Sequence, residues 1–302
     1  MSLKIKKTNT QFNRIGIIGK YGDNDVSETI ALVLQVIDEL NGKALLDQST
    51  VRDGFCGKTH HPTVDRKTLV EQADLVVTVG GDGSFLASSR TVVDLGKPII
   101  GVNMGRLGFL TDISPDEIHS VLHEVLIGKY LPEERVVLSC QVIRHKQVIE
   151  EAIGINDVVI HKRSVARMIE LDVYIDNRFL SSYWADGLIV SSPTGSTAYA
   201  LSSGGPVLQS NLEALVLVPI CPHTLTQRPI VIAANAEQRI EITENNDNNL
   251  QVSIDGQKEI PLQIGDIVRI TQHHKKLTIF HPCDYNYLRR LRKKLGWGSN
   301  PK

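Results

Sequence analysis

Cysteine pairs, long apolar runs and an excess of either charge are absent from this sequence, and each absence excludes a class of protein. The four cysteines, Cys56, Cys140, Cys221 and Cys283, stand far apart and form no CxxC pair. This spacing excludes a disulfide framework and a structural zinc site, and it favours a reducing compartment. No apolar run approaches the roughly 20 residues that span a bilayer, and no signal-like segment follows the basic start. We therefore expect four free thiols in a cytoplasmic protein.

The charge balance is almost neutral, which bears on the partners of the protein. The sequence has 33 Lys and Arg residues against 34 Asp and Glu residues. Such a balance gives no general attraction to nucleic acid or to an anionic membrane, and we predict neither as a partner. The locally basic run RRLRKK, at 289–294, is expected to be the solvated face of a terminal helix.

Two common nucleotide-binding motifs are incomplete. GFCGKT, at 54–59, ends like a P-loop, but Arg52 stands where the first glycine of that motif belongs. Gly16, Gly19 and Gly22 do not form GxGxxG, the dinucleotide fingerprint. The GFCGKT segment is therefore predicted to be a loop, and an ordinary dehydrogenase is disfavoured.

The pattern of apolar residues divides the 302 residues into two parts. The first part alternates apolar strands, such as LVVTV and PIIGV, with helical periods. Unalternated strands of this kind are typical of a parallel sheet that helices cover on both faces. From about Arg135 the period changes to two, which predicts β-strands, including a long hairpin that turns near Asp176 and Asn177. The sequence thus predicts an α/β, Rossmann-like domain followed by an all-β domain.

The segment GGDGSFL, at 80–86, follows the apolar strand LVVTV. In an open α/β sheet, ligands lie beyond the carboxyl ends of the strands. Glycine amides can approach phosphate oxygens closely, and a helix that begins near Ser84 would add a positive dipole end. An exposed loop carboxylate at Asp82 would repel phosphates, so we interpret it as a proton acceptor for an attacking hydroxyl or as a metal ligand. A tight turn in which Asp82 is the helix N-cap is the alternative.

Two further segments favour the phosphate interpretation. GVNMGRLGFL, at 101–110, also leaves an apolar strand into a glycine-rich loop and places Asn103 at the end of the next strand. Two neighbouring strands would then bring polar loops to one crevice. SSPTGSTAYALSSGGP, at 191–206, concentrates hydroxyls and small residues around Tyr199. We expect a site for a sugar or phosphate there rather than a packing joint.

Together these segments resemble NAD kinase of the bacterial type over nearly the whole chain. The resemblance also includes IGINDVVIH, RMIELDVYID, WADGLIVSSPTGSTAYALSSGGP, CPHTLTQRP, SIDGQ and the closing HPCDYNYLRRLRKKLGW. GGDG alone is shared with diacylglycerol kinases and phosphofructokinases, whereas the SPTGSTAYALSSGGP segment is highly specific. The resemblance implies transfer of the γ-phosphoryl of ATP, or of polyphosphate in some members, to the 2′-hydroxyl of the adenosine ribose of NAD. It also implies magnesium or another divalent ion, carried by the ATP.

The family fold gives expected domain boundaries. The resemblance implies an α/β nucleotide-binding domain at 1–125 and 281–302, in which the C-terminal tail returns to the first domain. It implies a β-sandwich domain at 126–280 that binds substrate and mediates oligomerisation. A homodimer or homotetramer is the corresponding expectation.

The resemblance also implies roles for individual residues. Asp82 would be the general base, and Gly80, Gly81 and Gly83 would form the phosphate loop. The residues implied to line the dinucleotide are Asp82, Gly83, Phe109, Asn156, Asp157, Arg167, Asp186, Thr197, Ala198, Tyr199, Ser202 and Gln257. On the residues alone, Asn156 and Asp157 could equally form a strand-end turn, and Arg167 could be a surface charge.

One position departs from the family pattern, and two other functions remain as alternatives. Relatives carry a basic residue where Trp184 stands here, which leaves open a substrate contact from that position and the choice between NAD and NADH. The alternatives are another GGDG kinase, acting on diacylglycerol or a sugar, and a nucleotide-binding regulator without catalysis. The sequence shows no amphipathic membrane anchor and retains Asp82, and both observations favour NAD kinase.

Overall fold

The structure is a computed structural model that describes residues 9–19, 24–51, 60–105, 108–163, 168–246 and 249–298. The chain divides into two compact units, Met1–Glu134 with Leu277–Lys302 and Arg135–Lys276. The predicted boundaries lay after residues 125 and 280. The difference arises because the strands Tyr130–Arg135 and Leu277–Pro282 both pair into the sheet of the first unit. The GFCGKT segment lies outside the described residues.

The first unit contains a sheet with the strand order β3-β2-β1-β4-β5-β19-β6, numbered along the whole chain. Its strands are β1 (Arg14–Gly19), β2 (Lys43–Asp47), β3 (Thr63–Val64), β4 (Leu75–Val79), β5 (Ile99–Val102), β6 (Tyr130–Arg135) and β19 (Leu277–Pro282). The pairs β1–β2, β2–β3, β1–β4, β4–β5 and β5–β19 are parallel. The parallel sheet and the returning tail confirm the predicted fold class of this half.

Helices connect these strands. They are α1 (Asn24–Glu39), α2 (Gln48–Val51), α3 (Arg66–Gln72), α4 (Asp82–Leu95), α5 (His123–Leu126) and the C-terminal α7 (Tyr287–Leu295). The segment before α5 is irregular, because a 3-10 turn at Pro115–Glu117 and a π turn at Ile118–Leu122 precede that helix. Ser114 and Glu117 form a capping box at the start of this segment.

The strand order reverses between β1 and β4. The chain moves from β1 to β2 and β3 on one side, and from β4 to β5 on the other. Every residue of β4 and β5 is buried, as expected for strands with both faces covered. The carboxyl ends of β4 and β5 are level, with Val79 paired to Val102. Such a switch point, at the carboxyl edge of the sheet, is where open α/β proteins bind ligands.

The second unit contains two antiparallel sheets. The first has the order β11-β10-β15-β18-β7-β8, and the second has the order β14-β13-β12-β9-β16-β17. The first sheet consists of β7 (Leu138–Arg144), β8 (Gln147–Gly154), β10 (Ile169–Ile175), β11 (Arg178–Ala185), β15 (Gln238–Ile242) and β18 (Ile267–Gln272). The second sheet consists of β9 (Asp157–Lys162), β12 (Gly187–Ser191), β13 (Ala214–Ile220), β14 (Ile230–Ala233), β16 (Leu250–Ile254) and β17 (Lys258–Leu262). The predicted hairpin is present, because Asp176 and Asn177 have positive φ angles of 48° and 61° between β10 and β11.

The two sheets differ in how they are covered. Strands β7 and β10 alternate buried and half-buried residues, which gives the first sheet one core face. Strands β12 and β16 are buried throughout, because the second sheet has cover on both faces. One face shares a core with the first sheet, and Ala200 and Leu208 pack on the other. The hydroxyl-rich segment that begins at Ser191 is therefore held against the outer face of the second sheet.

The described cysteines are free thiols, as predicted, and Cys56 lies outside the described residues. Cys221 and Cys283 are exposed. Burial in the sandwich core raises the pKa of the Cys140 thiol to about 12, so that this thiol stays protonated at neutral pH. Within the described residues, no helix has the length and apolar character that crossing a bilayer requires.

Candidate active site

Two glycine-rich loops meet at the carboxyl edge of the first unit's sheet, as the sequence predicted. The amide of Gly80, directly after β4, donates to the carbonyl of Val102 at the end of β5 (2.9 Å). Asn103 follows β5, and its buried side chain accepts a hydrogen bond from the Gly105 amide (2.9 Å). Asn103 thus shapes the second loop from within.

Asp82 joins the two loops. Its carboxylate accepts hydrogen bonds from the amides of Phe109 (2.9 Å, to Oδ2) and Leu110 (3.1 Å, to Oδ1). The Asp82 side chain is half-buried rather than exposed, and helix α4 begins at Asp82 itself rather than near Ser84. The expectation of an exposed loop carboxylate is therefore wrong. The N-cap alternative is also wrong, since Gly81 is the N-cap.

The carboxylate keeps the capacity to act on a ligand. A carboxylate offers about four lone-pair positions, and the amides of Phe109 and Leu110 occupy one on each oxygen. Hydrogen bonds from the amides fix the orientation of the carboxylate relative to the sheet edge. A group held in this way can accept a proton from a hydroxyl that approaches from the open side.

The glycines around Asp82 serve two different needs. A Cβ added to Gly108 would lie 2.0 Å from Asp82 Oδ1 and 2.7 Å from Thr111 Oγ1. Gly108 is therefore required by the approach of the Asp82 carboxylate. A Cβ on Gly81 or Gly83 would meet nothing within 4 Å. Within this unit these two positions face open space, where a ligand has room to approach the backbone.

In the second unit, another carboxylate organises a turn. Asp255 accepts hydrogen bonds from the amides of Ile155 (3.0 Å), Asn156 (2.7 Å) and Asp157 (3.2 Å). Asn156 does lie in a strand-end turn between β8 and β9, Asp157 is the first residue of β9, and Asp255 fixes this turn. The sequence analysis missed Asp255, although its Asp-Gly pair, with φ angles of 51° and 61°, is a recognisable hairpin turn signal.

The hydroxyl-rich segment packs on the same turn. Ser191 and Ser192 donate their hydroxyls to the carbonyls of Asn156 (3.1 Å) and Ile155 (2.6 Å). A Cβ on Gly195 would lie 2.1 Å from the Asn156 carbonyl oxygen, so that only glycine allows this contact. The buried Ser196 hydroxyl donates to the Pro193 carbonyl (2.7 Å). These three hydroxyls therefore hold the backbone of the turn and of the segment itself.

The accessible residues of that segment lie further along it. Thr197 and Ala198 are half-buried, while Tyr199 and Ser202 are exposed on the short helix α6 (Tyr199–Ser202). The Asn156 side-chain oxygen is buried, and no hydrogen-bond partner for it exists among the described residues.

The carboxyl group of Asp157 has a strongly shifted pKa. Its side chain is buried, with only 5% of the residue exposed. Burial, together with the nearby Asp255 carboxylate, raises the pKa of Asp157 to about 7. The group therefore changes its protonation state near neutral pH. A strongly perturbed carboxyl group is more frequent at functional sites than elsewhere.

Not all predicted residues of the second unit come together. Gln257 is exposed in the turn after β16, the turn that also contains Asp255. Asp186 is at the opposite end of β12 from Ser191, roughly 16 Å away at about 3.3 Å per residue. There Asp186 forms an ion pair with Lys162 (2.6 Å), a residue that the sequence analysis did not single out. Arg167 lies outside the described residues.

Trp184 lies near Asp186, before the start of β12. Its side chain is exposed, and its ring is 6.4 Å from that of His223. The indole thus occupies a surface position within the second unit, next to the Asp186–Lys162 pair in the sequence rather than beside the Asn156 turn.

Comparisons with known proteins agree with this architecture. Residues 25–130 match the ATP-NAD kinase N-terminal domain, and residues 155–281 match the ATP-NAD kinase C-terminal domain. The NAD kinase of Teredinibacter turnerae is 43% identical over 289 residues, which cover 96% of this chain and 98% of that protein. The NAD kinase of Pseudomonas entomophila is 45% identical over 289 residues, which cover 96% and 97%.

Solved structures show the same fold. A structure of yeast NADH kinase complexed with NADH has a TM-score of 0.86 at 23% identity, covering 97% of this chain and 90% of that one. A structure of an NAD kinase from Archaeoglobus fulgidus in complex with ATP has a TM-score of 0.73 at 25% identity, covering 94% and 98%. The α/β unit, the β-sandwich unit and the two loops at the sheet edge define a kinase of two domains. The chain belongs to the NAD kinase family.

The different space around Gly108 and Gly83 predicts different thermal stabilities for their alanine variants. We expect Gly108→Ala to lower the thermal midpoint by about 4–8 °C, because the new methyl group displaces the Asp82 carboxylate. Gly83→Ala, in the first turn of α4, should leave the midpoint unchanged or slightly higher. Differential scanning calorimetry measures both. Equal midpoints for the two variants would contradict the assignment of Gly108 to the carboxylate.

The raised pKa of Asp157 predicts a pH dependence of stability. Because the folded-state pKa is near 7 and the unfolded value is about 3.8, the native protein binds more protons between these values. Its stability should therefore fall as pH rises from about 4 to 7. Asp157→Asn removes this effect, so we expect the variant to gain on the order of 3 kcal/mol relative to wild type between pH 5 and pH 8.

Urea unfolding at pH 5 and pH 8 measures this difference. Asp116→Asn, which removes an exposed carboxylate, is the matched control and should follow the wild type at both values. A constant difference between Asp157→Asn and wild type at the two pH values would show that burial does not perturb this carboxyl group.

Proposed function

We propose that the protein is an ATP-dependent NAD kinase, which transfers the γ-phosphoryl of ATP to the 2′-hydroxyl of the adenosine ribose of NAD and yields NADP. One observation carries the proposal. Asp82 stands at the carboxyl edge of the parallel sheet, in the first turn of α4, with its carboxylate oriented by two amides of the neighbouring loop. Relatives at 43–45% identity over almost the full length are NAD kinases.

Asp82 is the proposed general base. The ribose 2′-hydroxyl is a weak nucleophile until a neighbouring group accepts its proton, and a fixed carboxylate is suited to this role. Gly80, Gly81 and Gly83 form the proposed phosphate loop, because backbone without side chains allows close approach of phosphate oxygens. The positive end of the α4 dipole favours the triphosphate at the same place.

Magnesium, or another divalent ion, is proposed to enter with ATP. Magnesium in kinases is typically bound in part by substrate phosphates and water. The ion is proposed to be held by the phosphates that carry it, which leaves the free lone-pair positions of Asp82 for the proton of the hydroxyl. The ion would neutralise the charge of the triphosphate and so favour attack by the hydroxyl.

The second unit is proposed to bind the dinucleotide. Asn156 and Asp157 present an acceptor and a titrating carboxyl group on a turn that Asp255 holds rigid. The further proposed contacts of the second unit are Arg167, Asp186, Thr197, Ala198, Tyr199, Ser202 and Gln257. Those of the first unit are Gly83 and Phe109. The choice between NAD and NADH is tested by offering each with ATP. A lipid or sugar acceptor is tested by offering it with ATP in place of NAD and measuring the ADP that forms.

We further propose a cytoplasmic homodimer or homotetramer that forms through the second unit and has no nucleic-acid or membrane partner. The edge strand β8 exposes Val148 and Ile149, and β11 exposes Phe179. Exposed apolar side chains at a sheet edge suit association between copies. Light scattering after size exclusion measures the oligomeric state.

The base role of Asp82 predicts the kinetics of Asp82→Asn. Turnover should fall by about 10²–10⁴-fold, the usual contribution of a general base, while the KM for NAD changes by only a few-fold. Formation of NADP from ATP, magnesium and NAD is measured with an NADP-specific dehydrogenase. Asp94→Asn, at the exposed far end of the same helix, is the control with normal turnover. Near-normal turnover of Asp82→Asn would contradict the base role.

A further inference from the structure

The first unit buries a group of charged side chains that the proposed chemistry does not use. The side chains of Asp112 and His281 are each 1% exposed, and that of Arg290 is 9% exposed. Asp112 follows the second glycine-rich loop, His281 is in β19, and Arg290 is in α7. Burying charged groups costs free energy that only good pairing offsets, so such a cluster is weak evidence for added stability.

The cluster is paired throughout. The two oxygens of the Asp112 carboxylate contact His281 Nδ1 and Arg290 Nη1. His281 Nε2 is 3.1 Å from an oxygen of Glu133, on β6. The His281 ring also stacks on Tyr285, with 3.8 Å between the ring centroids. Asp112 thereby fixes the guanidinium of Arg290 in one position.

Arg290 connects this cluster to the loop that holds Asp82. Its Nη1 donates to the carbonyl of Phe109 (3.3 Å) and to that of Thr111 (3.4 Å). The Phe109 carbonyl and the Leu110 amide belong to the same peptide group. That group therefore accepts from Arg290 on one side and donates to Asp82 Oδ1 on the other (3.1 Å). A second contact from α7 reaches the same loop, with Lys294 Nζ 5.4 Å from the Phe109 ring centroid.

The electrostatic consequence follows from the polarity of the peptide group. A cation at the carbonyl oxygen withdraws electron density and makes the N–H of the same peptide a stronger donor. The Leu110 amide then binds the Asp82 carboxylate more tightly and in a narrower range of orientations. Arg290 thus acts on Asp82 from a distance of two hydrogen bonds, through one planar group.

We propose that Arg290 is a positioning residue for phosphoryl transfer, which orients the Asp82 carboxylate through the Phe109–Leu110 peptide. The proposal rests on the proposed function, in which Asp82 is the base. Phosphoryl transfer depends mainly on positioning, so a loosened carboxylate lowers turnover without changing how NAD binds. Asp112 and His281 serve to hold the guanidinium in place.

The test is a double-mutant cycle between Arg290→Met and Asp82→Asn. We expect Arg290→Met to lower kcat about tenfold in the wild-type background, with the KM for NAD within about twofold. In the Asp82→Asn background the same change should lower kcat less than twofold, because the group that Arg290 positions is already lost. A sensitive NADP cycling assay measures the slow variants.

Two further variants separate this role from a general loss of structure. Arg292→Met removes an exposed cation from the same helix and should leave kcat unchanged. Arg290→Lys retains the charge beside Asp112 but presents a single ammonium group in place of the planar guanidinium, so its kcat should lie between wild type and Arg290→Met. If Arg290→Met does not fold, the cycle is run with Arg290→Lys, for which a smaller coupling is expected.

The Leu110 amide proton gives a readout that does not require activity. In Arg290→Met we expect its NMR resonance to move upfield, as its hydrogen bond to Asp82 weakens. An unmoved resonance, or a tenfold loss of kcat in both backgrounds, overturns the role of Arg290. Normal turnover of Asp82→Asn together with a moved resonance overturns the base role of Asp82 instead and leaves the structural link in place.

Discussion

The arrangement of the first unit depends on the hydrogen bonds between the Asp82 carboxylate and the amides of Phe109 and Leu110. These bonds join the loop after β4 to the loop after β5, and they explain why Gly108 must lack a side chain. The same carboxylate is the proposed base. On this proposal, one side chain both builds the site and acts in it, so the geometry of the second loop decides where the proposed base points.

The second unit uses a similar device. Asp255 accepts hydrogen bonds from three consecutive amides and so fixes the turn at Asn156 and Asp157. The hydroxyls of Ser191 and Ser192 donate to the carbonyls of that turn. A backbone turn whose amides and carbonyls are held by side chains in this way loses little entropy when a ligand binds. In both units, a buried or half-buried carboxylate that captures backbone amides holds a proposed ligand-binding segment in shape.

Much of this could be predicted from the sequence, because apolar periodicity reports which faces are buried. The parallel strands, the change to period two and the Asp176–Asn177 turn were all predictable. The sequence does not reveal that Asp82 accepts hydrogen bonds from amides 27 and 28 residues away. Nor does it reveal that Arg290 donates a hydrogen bond to a carbonyl 181 residues earlier. These contacts depend on tertiary pairing, for which local pattern carries no signal. The bonds of the Ser191 and Ser192 hydroxyls could not be predicted for the same reason, since their acceptors are distant carbonyls.

Amide hydrogen exchange shows whether the Asp82 carboxylate holds the second loop. Hydrogen exchange at Phe109 and Leu110 should become at least tenfold faster in Asp82→Asn, because an amide side chain can accept at only one of its two polar atoms. In Asp94→Asn, at the other end of α4, exchange at these two amides should match the wild type. Unchanged exchange at Phe109 and Leu110 in Asp82→Asn would contradict the account.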